Sequence, residues 1–188
     1  MPRLTALTNE AATAKVQTLL AGVQQKLGMT PNLMRTMAHS PAVLESYLQF
    51  SGLLKQGALT DQHREQISLT VAEANECGYC LAAHSTLGKM AGLTPEQIRE
   101  NRSGSDADPQ AAALLKFAQS IVHKRGQVAD QDLQDVRAAG FSDEQVAEIA
   151  ANVALNIFTN YFNNIAQTEI DFPEVEPLCA GAGASCSH

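Results

Sequence analysis

The chain has 188 residues, of which 45% are hydrophobic, enough to bury one sizeable core, so we expect a single domain. Its formal net charge of −7 and the scattering of its 13 Lys and Arg residues argue against a nucleic-acid partner, because phosphate binding needs clustered cations. No stretch reaches the roughly 18 consecutive apolar residues of a membrane helix, and no secretory leader is evident, so we expect a cytoplasmic protein without a membrane partner.

Helix-start signals recur from the N-terminal third to the C-terminal helix. A capping side chain followed by proline occurs at Thr30-Pro31, Ser40-Pro41, Thr94-Pro95 and Asp108-Pro109, and capping-box spacing occurs at Thr94/Gln97 and Ser142/Gln145. Apolar residues between these signals follow helical intervals, and no convincing period-2 run appears. The sequence therefore predicts a compact all-α fold of about eight helices, the last running from near Asp143 toward Gln167.

The middle of the chain predicts a helix, a break and a second helix. The first covers about Asp61 to Ala74, and a new helix starts near Cys77, because Asn75 and Gly78 are poor helix-interior residues. Farther on, the polar stretch from Asn101 to Asp108 predicts a loop.

The boundaries of the domain follow from where helical periodicity stops. We expect an all-helical domain over residues 1–172 and a flexible tail over residues 173–188, since the end of the chain is a Gly/Ala-rich stretch. Cys179 and Cys186 lie in this tail, where they could pair, bind metal or remain free.

The sequence also echoes itself at a shift of 82 positions. Ser142-Asp143, Ile149, Val153-Ala154 and Tyr161 repeat Thr60-Asp61, Ile67, Val71-Ala72 and Tyr79. Either an internal helical duplication or the chance likeness of two capped amphipathic helices explains this. In a duplication the second copy lacks chemistry, because Ala147, Thr159, Phe162 and Ala166 stand where the first copy has Glu65, Cys77, Cys80 and His84.

The most informative segment is Cys77-Gly-Tyr-Cys80, with His84 four residues later. Two thiols at this spacing on the first turn of a helix can close a disulfide or share a thiolate proton. One turn farther on the same face, His84 is placed to accept the thiol proton and stabilise the thiolate. A helix N-terminus also lowers the pKa of a thiol.

Glu65 joins this group only if the chain doubles back near residue 75. On an unbroken helix it would lie about 18 Å from Cys77, too far to act. With a reversal it comes level with His84, where a carboxylate can orient the imidazole and take up its proton. We therefore expect Glu65 within reach of His84 or Cys80.

These residues at these spacings resemble the signature of the alkylhydroperoxidase D branch of the carboxymuconolactone decarboxylase-like superfamily. The later run from Asn163 to Pro173, Asn-x-x-Ala-x-Thr-Glu-Ile-Asp-Phe-Pro, is similar to the ending of peroxidase-related members. The likeness covers most of residues 30–173. It implies an all-helical fold, a homo-oligomer such as a trimer or hexamer, and reduction of hydroperoxides by cysteine, with an unknown thiol or dithiol protein as reductant.

The same resemblance implies a role for each residue. Cys80 attacks the peroxide and becomes a sulfenic acid, Cys77 resolves it as a disulfide, and Glu65 and His84 relay the proton. Some members carry His beside the second cysteine, where this chain has Tyr79. A tyrosine donates a hydrogen bond but is a poor proton acceptor near neutral pH, so Tyr79 is an auxiliary residue at most. We expect no cofactor and no metal.

Several other interpretations remain open. The thiols could serve a general thiol-disulfide oxidoreductase, or be buried structural cysteines. A non-enzymatic helical scaffold could hold zinc through Cys77, Cys80 and His84, with a fourth ligand from Glu65, Cys179, Cys186 or His188. A lactone decarboxylase is less favoured, because that branch does not depend on a Cys-x-x-Cys pair.

The remaining histidines and the aromatic residues of the last helix point to structure rather than chemistry. We expect His39, His63 and His123 to be structural or solvated. Phe158, Tyr161 and Phe162 suit a core or an interface, with a pocket role as the alternative.

Overall fold

The computed structural model describes residues 1–176 and 178, and within them every regular element is a helix. There are nine helices in this part of the chain, one more than expected, and the shortest has six residues. Their bounds are α1 Ala14–Leu27, α2 Asn32–Met37, α3 Pro41–Leu54, α4 Asp61–Ala74, α5 Gly78–Met90, α6 Pro95–Arg102, α7 Pro109–His123, α8 Asp130–Ala138 and α9 Asp143–Ala166. No helix among these residues is both long and apolar enough to cross a membrane.

Most of the predicted helix starts are confirmed. The side chains of Ser40, Thr94, Asp108 and Ser142 each accept a hydrogen bond from a backbone N–H in the first turn that follows. Thr94 and Ser142 complete capping boxes with the glutamine three residues later. Local side chains therefore satisfy the otherwise unpaired N–H groups at these helix ends.

The predicted cap of α2 is wrong. Thr30 donates its hydroxyl to Gln24 Oε1 at 3.0 Å instead of capping the helix. The N–H of Asn32 is bound by Asp171 Oδ2 at 2.7 Å, from 139 residues away. A carboxylate suits the partial positive charge of a helix N-terminus, so the C-terminal segment replaces a local cap.

Helix α4 lies at the centre and packs against α5, α6, α7 and α9. Its Ile67 and Val71 join a cluster of buried side chains from α7, α8 and α9. A second cluster joins α1, α2 and α3 to the start of α5 and includes Cys77 and Cys80. The cysteine pair is therefore part of a core rather than of a surface loop.

The break between α4 and α5 occurs as expected and has the hydrogen bonds of a Schellman motif. The Cys77 N–H donates to Ala72 O at 2.9 Å and the Glu76 N–H to Glu73 O at 3.0 Å, which pairs the last carbonyls of α4. Glu76 has φ 51, a left-handed conformation in which glycine is usual at this position. This turn reverses the chain, so α5 runs back along α4.

Two asparagines of α9 hold the same turn in place. Asn75 Nδ2 donates to Asn160 Oδ1 at 3.0 Å, and Asn164 Nδ2 donates to Asn75 O at 2.9 Å. The start of α5 is thereby fixed against the long C-terminal helix.

The two segments of the internal echo occupy related positions. Ile67 and Val71 of α4 lie in the same buried cluster as Ile149 and Val153 of α9. The helices differ after that point, because α4 ends at Ala74 whereas α9 continues unbroken for 24 residues. An internal duplication stays a prediction.

One of the expected boundaries is adjusted. Helix α6 extends to Arg102, so the loop expected from Asn101 starts two residues later. Both residues are buried, and Arg102 binds Glu73 Oε2 at 2.7 Å and Glu176 O at 2.9 Å. Val175 packs against the second cluster, which includes the cysteine pair; the domain boundary expected at residue 172 stays a prediction. Cys179, Cys186 and His188 lie outside the described residues.

Candidate active site

Cys77 and Cys80 form a disulfide at the start of α5, with their Cα atoms 5.3 Å apart. Cys77 is the N-cap of the helix, and its Sγ accepts the backbone N–H of Cys80 at 3.3 Å. Both residues are buried, Cys77 at 0% exposed and Cys80 at 2%. The pair therefore combines disulfide geometry with the N–H groups of a helix terminus, which favour a thiolate after reduction.

The reversal after α4 places Glu65 against His84. Glu65 Oε2 lies 2.8 Å from His84 Nδ1, and the two side chains are 17% and 20% exposed. Because a carboxylate accepts, Nδ1 carries the proton and Nε2 is the nitrogen left to exchange protons. This is the carboxylate–imidazole arrangement that orients a general base.

His84 stands between two pockets. One, of about 160 Å³, is mainly apolar and is lined by Cys80, His84, Tyr79, Asn163, Phe172 and several aliphatic side chains. The other, of about 280 Å³, is more polar and is lined by Glu65, His84, Arg64, Ser68 and residues of α3 and α9. Cys80 thus lines the apolar pocket, Glu65 lines the polar one, and His84 lines both.

Asn163 of α9 is a site residue that sequence reasoning did not assign. Its Nδ2 donates to Cys80 Sγ at 3.3 Å, and the residue is only 3% exposed. The one available signal was its position at the head of the Asn163-to-Pro173 run, which carries no information about what the side chain touches.

Tyr79 ties the start of α5 to two other segments of the chain. Its hydroxyl donates to Asp171 Oδ1 at 2.8 Å and accepts the Leu33 N–H at 3.1 Å. Phe172 packs edge-on against its ring. Burial, with the negative charge of Asp171 adding to it, holds the pKa of Tyr79 well above its usual value. The geometry gives this tyrosine a structural contact rather than a place in the Glu65–His84 pair.

Comparison with known proteins identifies a family match and structures of similar fold. Residues 41–120 match the carboxymuconolactone decarboxylase family. A structure described as an alkylhydroperoxidase AhpD core, a peroxidase-related protein from Ralstonia eutropha JMP134, superposes with a TM-score of 0.83 at 27% identity, covering 90% of this chain and 92% of that one. The family match and this superposition support a place for the chain in the alkylhydroperoxidase D-like branch of the carboxymuconolactone decarboxylase superfamily.

Two further structures share the alkylhydroperoxidase D-like fold at lower identity. A peroxidase-related protein from Silicibacter sp. TM1040 has a TM-score of 0.78 at 23% identity, over 88% of this chain and 91% of that one. The debrominase Bmp8, in complex with 2,3,4-tribromopyrrole, has a TM-score of 0.77 at 19% identity, over 89% and 91%. No curated protein sequence matches the chain.

The matched family region contains only part of the site of this alkylhydroperoxidase D-like chain. Glu65, Cys77, Cys80 and His84 fall within residues 41–120, whereas Asn163 and the C-terminal contacts of Tyr79 fall beyond them. The fold brings the two parts together because α9 packs against α4 and α5.

Tyr47 of α3 borders both pockets and lies near the Glu65–His84 pair. Burial, together with the negative charge of Glu65, raises the pKa of Tyr47 to about 12. Its hydroxyl therefore stays protonated across the physiological range. The sequence alone gave no reason to single it out.

Two of the other histidines, His39 and His63, make structural contacts, whereas His123 is exposed. His39 Nε2 lies 2.9 Å from Thr5 O, His63 packs edge-on against Phe141, and His123 is the last residue of α7. Burial, with Arg64 acting in the same direction, lowers the pKa of His63.

The zinc alternative needs a compact group of ligands. Among residues 1–176 and 178, no cluster of three His, Cys, Asp or Glu side chains has the geometry to hold a metal ion. The tail ligands considered above, Cys179, Cys186 and His188, lie outside those residues.

Proposed function

We propose that this chain is a thiol peroxidase that reduces small organic hydroperoxides through Cys80 and Cys77. The observation that carries the proposal is the arrangement around Cys80. Its sulfur lines an apolar pocket together with His84, which is bonded to Glu65, and Cys77 stands within disulfide distance. The base that accepts the thiol proton, the pocket for the oxidant and the resolving thiol are then all placed around the Cys80 sulfur.

The proposed cycle begins with the reduced pair. His84 Nε2 takes the proton of the Cys80 thiol, and the imidazolium is stabilised by Glu65. The thiolate attacks the terminal oxygen of ROOH, so an S–O bond forms, the O–O bond breaks, and RO⁻ takes the proton back from His84 and leaves as ROH. The sulfur is oxidised by two electrons and becomes a sulfenic acid.

Cys77 completes the oxidative half of the cycle. Its thiol displaces hydroxide from the Cys80 sulfenic acid, and its proton leaves with that hydroxide as water. The product is the disulfide between Cys77 and Cys80. A dithiol reductant, which we propose to be a thiol protein or small molecule, returns both cysteines to thiols and becomes a disulfide itself.

The different surroundings of the two sulfurs favour Cys80 as the attacking one. Cys80 lines the apolar pocket, whereas Cys77 is fully buried at the N-cap. The backbone N–H bound to Cys77 Sγ stabilises negative charge on that sulfur when the disulfide is reduced, which makes Cys77 a good leaving group.

The size and lining of the pocket also favour one class of oxidant. Its volume of about 160 Å³ and its aliphatic and aromatic lining suit a small alkyl hydroperoxide better than hydrogen peroxide, because apolar walls bind an alkyl group. We expect tert-butyl hydroperoxide to react faster than hydrogen peroxide.

We also propose that the chain forms a homo-oligomer, such as a trimer or hexamer. Phe158, Tyr161 and Ile165 lie on one face of α9 at helical spacing and are 41%, 55% and 65% exposed. An apolar stripe of this kind is typical of an interface. Sedimentation of the wild-type protein should show an oligomer, and Ile165→Glu should shift the equilibrium toward monomer. A monomeric wild-type protein would contradict the proposed oligomer.

The direct test of the peroxidase proposal is a thiol count. One equivalent of tert-butyl hydroperoxide added to the reduced protein should remove two free thiols and yield one equivalent of alcohol. A Cys80→Ser variant should do neither. Tightly bound stoichiometric zinc with protected thiols would instead support the scaffold alternative.

The same assay separates the enzymatic alternatives. Exchange with a disulfide substrate at a much higher rate than with any hydroperoxide would indicate a thiol-disulfide oxidoreductase. A fold neighbour is a debrominase, so a bromopyrrole is included, and bromide release without hydroperoxide reduction would contradict the peroxidase proposal. Decarboxylation of a lactone without any thiol loss would likewise contradict it.

A further inference from the structure

The side-chain amide of Asn163 is buried, and only one of its two polar atoms has a hydrogen-bond partner among the described residues. Its Nδ2 donates to Cys80 Sγ at 3.3 Å. Its Oδ1 is buried and accepts no hydrogen bond among the described residues. A buried acceptor without a partner is uncommon and costs free energy. A hydrogen-bond donor for Oδ1 can come from the pocket that Asn163 shares with Cys80.

We propose that Asn163 is a catalytic residue that binds the Cys80 sulfur in two successive states, donating from Nδ2 to the thiolate and accepting at Oδ1 from the sulfenic acid. This inference deepens the proposed function and rests on it for the second state. The first state depends only on reduction of the disulfide.

The contact to Nδ2 gains most of its strength when Cys80 is a thiolate. A disulfide sulfur is a weak acceptor, whereas hydrogen bonds to an ionised group in a water-poor site are roughly twice as strong as neutral ones. The helix N-terminus does not supply this donor, because the Cys80 N–H faces Cys77 Sγ. Asn163 Nδ2 thus stabilises negative charge on Cys80 Sγ, as the Cys80 N–H does on Cys77 Sγ.

Asn163 Oδ1, the oxygen of the same amide left unpaired among the described residues, suits the sulfenic acid state of Cys80. Attack on a hydroperoxide adds an S–OH group, which is a donor that neither the thiolate nor the disulfide possesses. Oδ1 is bonded to the same carbon as Nδ2, and it has no competing donor among the described residues. Holding the hydroxyl would keep the sulfenic acid in place until Cys77 displaces it.

Other titratable groups share the surroundings of Cys80 and set the background of any pH profile. They come from α3, from α4 behind the imidazole, and from α5 and its N-cap: Tyr47, Glu65, Cys77, Tyr79 and His84. The variants compared below all carry Ser at position 77 and keep the other four groups, so that a difference between the profiles reports on position 163.

The test uses the full chain with Cys77, Cys179 and Cys186 changed to Ser, which leaves Cys80 as the only cysteine. Serine is itself a good N-cap, so α5 keeps its start. The rate of alkylation by iodoacetamide is measured against pH for this protein and with Asn163→Ala or Asn163→Asp added. Asn101→Ala is the matched control, since Asn101 is a buried asparagine that lines neither pocket and whose Nδ2 donates to Ser105 O and Asp106 Oδ2.

We expect alkylation at neutral pH to slow about tenfold in Asn163→Ala and more in Asn163→Asp, whose carboxylate repels a thiolate, with the profile moving to higher pH. Asn101→Ala should leave the pH profile unchanged. Asn163→Asp has the same shape as asparagine, so it gives the answer if the alanine variant does not fold. Unchanged profiles in folded Asn163 variants would overturn the first state.

The second state is read from the same proteins after one equivalent of tert-butyl hydroperoxide, by trapping with dimedone at intervals. The sulfenic acid should persist about threefold less long in Asn163→Ala, and equal lifetimes would overturn the role of Oδ1. If Cys80 alkylates rapidly in the parent protein but never forms a dimedone adduct, the peroxidase proposal fails while the thiolate contact stands.

Discussion

Replacing Tyr79 with phenylalanine should cost stability rather than chemistry. The hydroxyl donates to Asp171 Oδ1 and accepts the Leu33 N–H. Removing it loses a hydrogen bond to a carboxylate and leaves a buried N–H at the start of α2 without a partner. Together these amount to about 2–3 kcal/mol of unfolding free energy near neutral pH. The aromatic contact with Phe172 is retained.

The pH dependence gives this prediction a distinctive sign. The raised pKa of Tyr79 means that the folded protein keeps a proton that the unfolded chain loses above about pH 10. The unfolding free energy of the wild type therefore falls as the pH rises past that value. Tyr79→Phe has no hydroxyl to ionise at this position, so its unfolding free energy does not fall for this reason. The difference between the two should narrow in alkaline solution.

Urea unfolding of the oxidised proteins, at one protein concentration and at pH 7.5 and 10.5, measures both effects. Thr18→Val is the control, because it also removes one hydroxyl, whose bond to Ala14 O is exposed, and it should change stability by less than about 0.5 kcal/mol. A negligible loss at pH 7.5, or a difference that widens above pH 10, would refute the reasoning. So would a hundredfold slower reaction with hydroperoxide at unchanged stability, since that would place Tyr79 in the proton relay.

Three further outcomes follow from the geometry. Glu76→Gly should raise the unfolding free energy by about 0.5–1 kcal/mol in urea melts, because Glu76 occupies a left-handed conformation that glycine adopts without strain; a loss would contradict the Schellman turn. Glu65→Gln should slow single-turnover oxidation by about a hundredfold with little change in melting temperature, since the imidazolium loses its carboxylate; an unchanged rate would remove Glu65 from the relay. His63→Phe should lose less stability than the wild type between about pH 7 and pH 5, because the lowered pKa of His63 makes the folded state resist a proton that the unfolded chain takes up; parallel urea midpoints across that range would contradict this.

The features that the sequence predicted well are local ones. The end of α4 at Ala74 and the start of α5 after Cys77 depend on residues within one turn of the break. The same holds for the capped helix starts, since the capping side chain and the N–H it binds are three residues apart or fewer. Even Glu65 could be brought to His84 from sequence, because one chain reversal suffices.

The features that it missed depend on partners far along the chain. Thr30 had the chemistry of a cap, yet Asp171, 139 residues away, occupies the N-terminus of α2. Asn163 meets Cys80 across 83 residues. A single sequence marks such residues as polar but does not reveal which group they will face, because that depends on the packing of α9 and the segment after it.

The run from Asn163 to Pro173 now has a physical meaning. Its first residue binds the Cys80 sulfur, Asp171 binds Tyr79 and the start of α2, and Phe172 packs on Tyr79. The Cys-x-Tyr-Cys turn and this C-terminal run form one structural unit. The family likeness in the middle of the chain and the likeness in its C-terminal run therefore describe a single site.

The central claim is that Cys80 reacts with the oxidant and Cys77 resolves the product. Stopped-flow mixing of reduced Cys77→Ser and Cys80→Ser variants with tert-butyl hydroperoxide, followed by dimedone trapping, tests it directly. We predict one fast turnover and a sulfenic acid adduct on Cys80 in Cys77→Ser, and neither in Cys80→Ser. Fast oxidation of Cys77 in the Cys80→Ser variant, with an inert Cys77→Ser protein, would contradict the account.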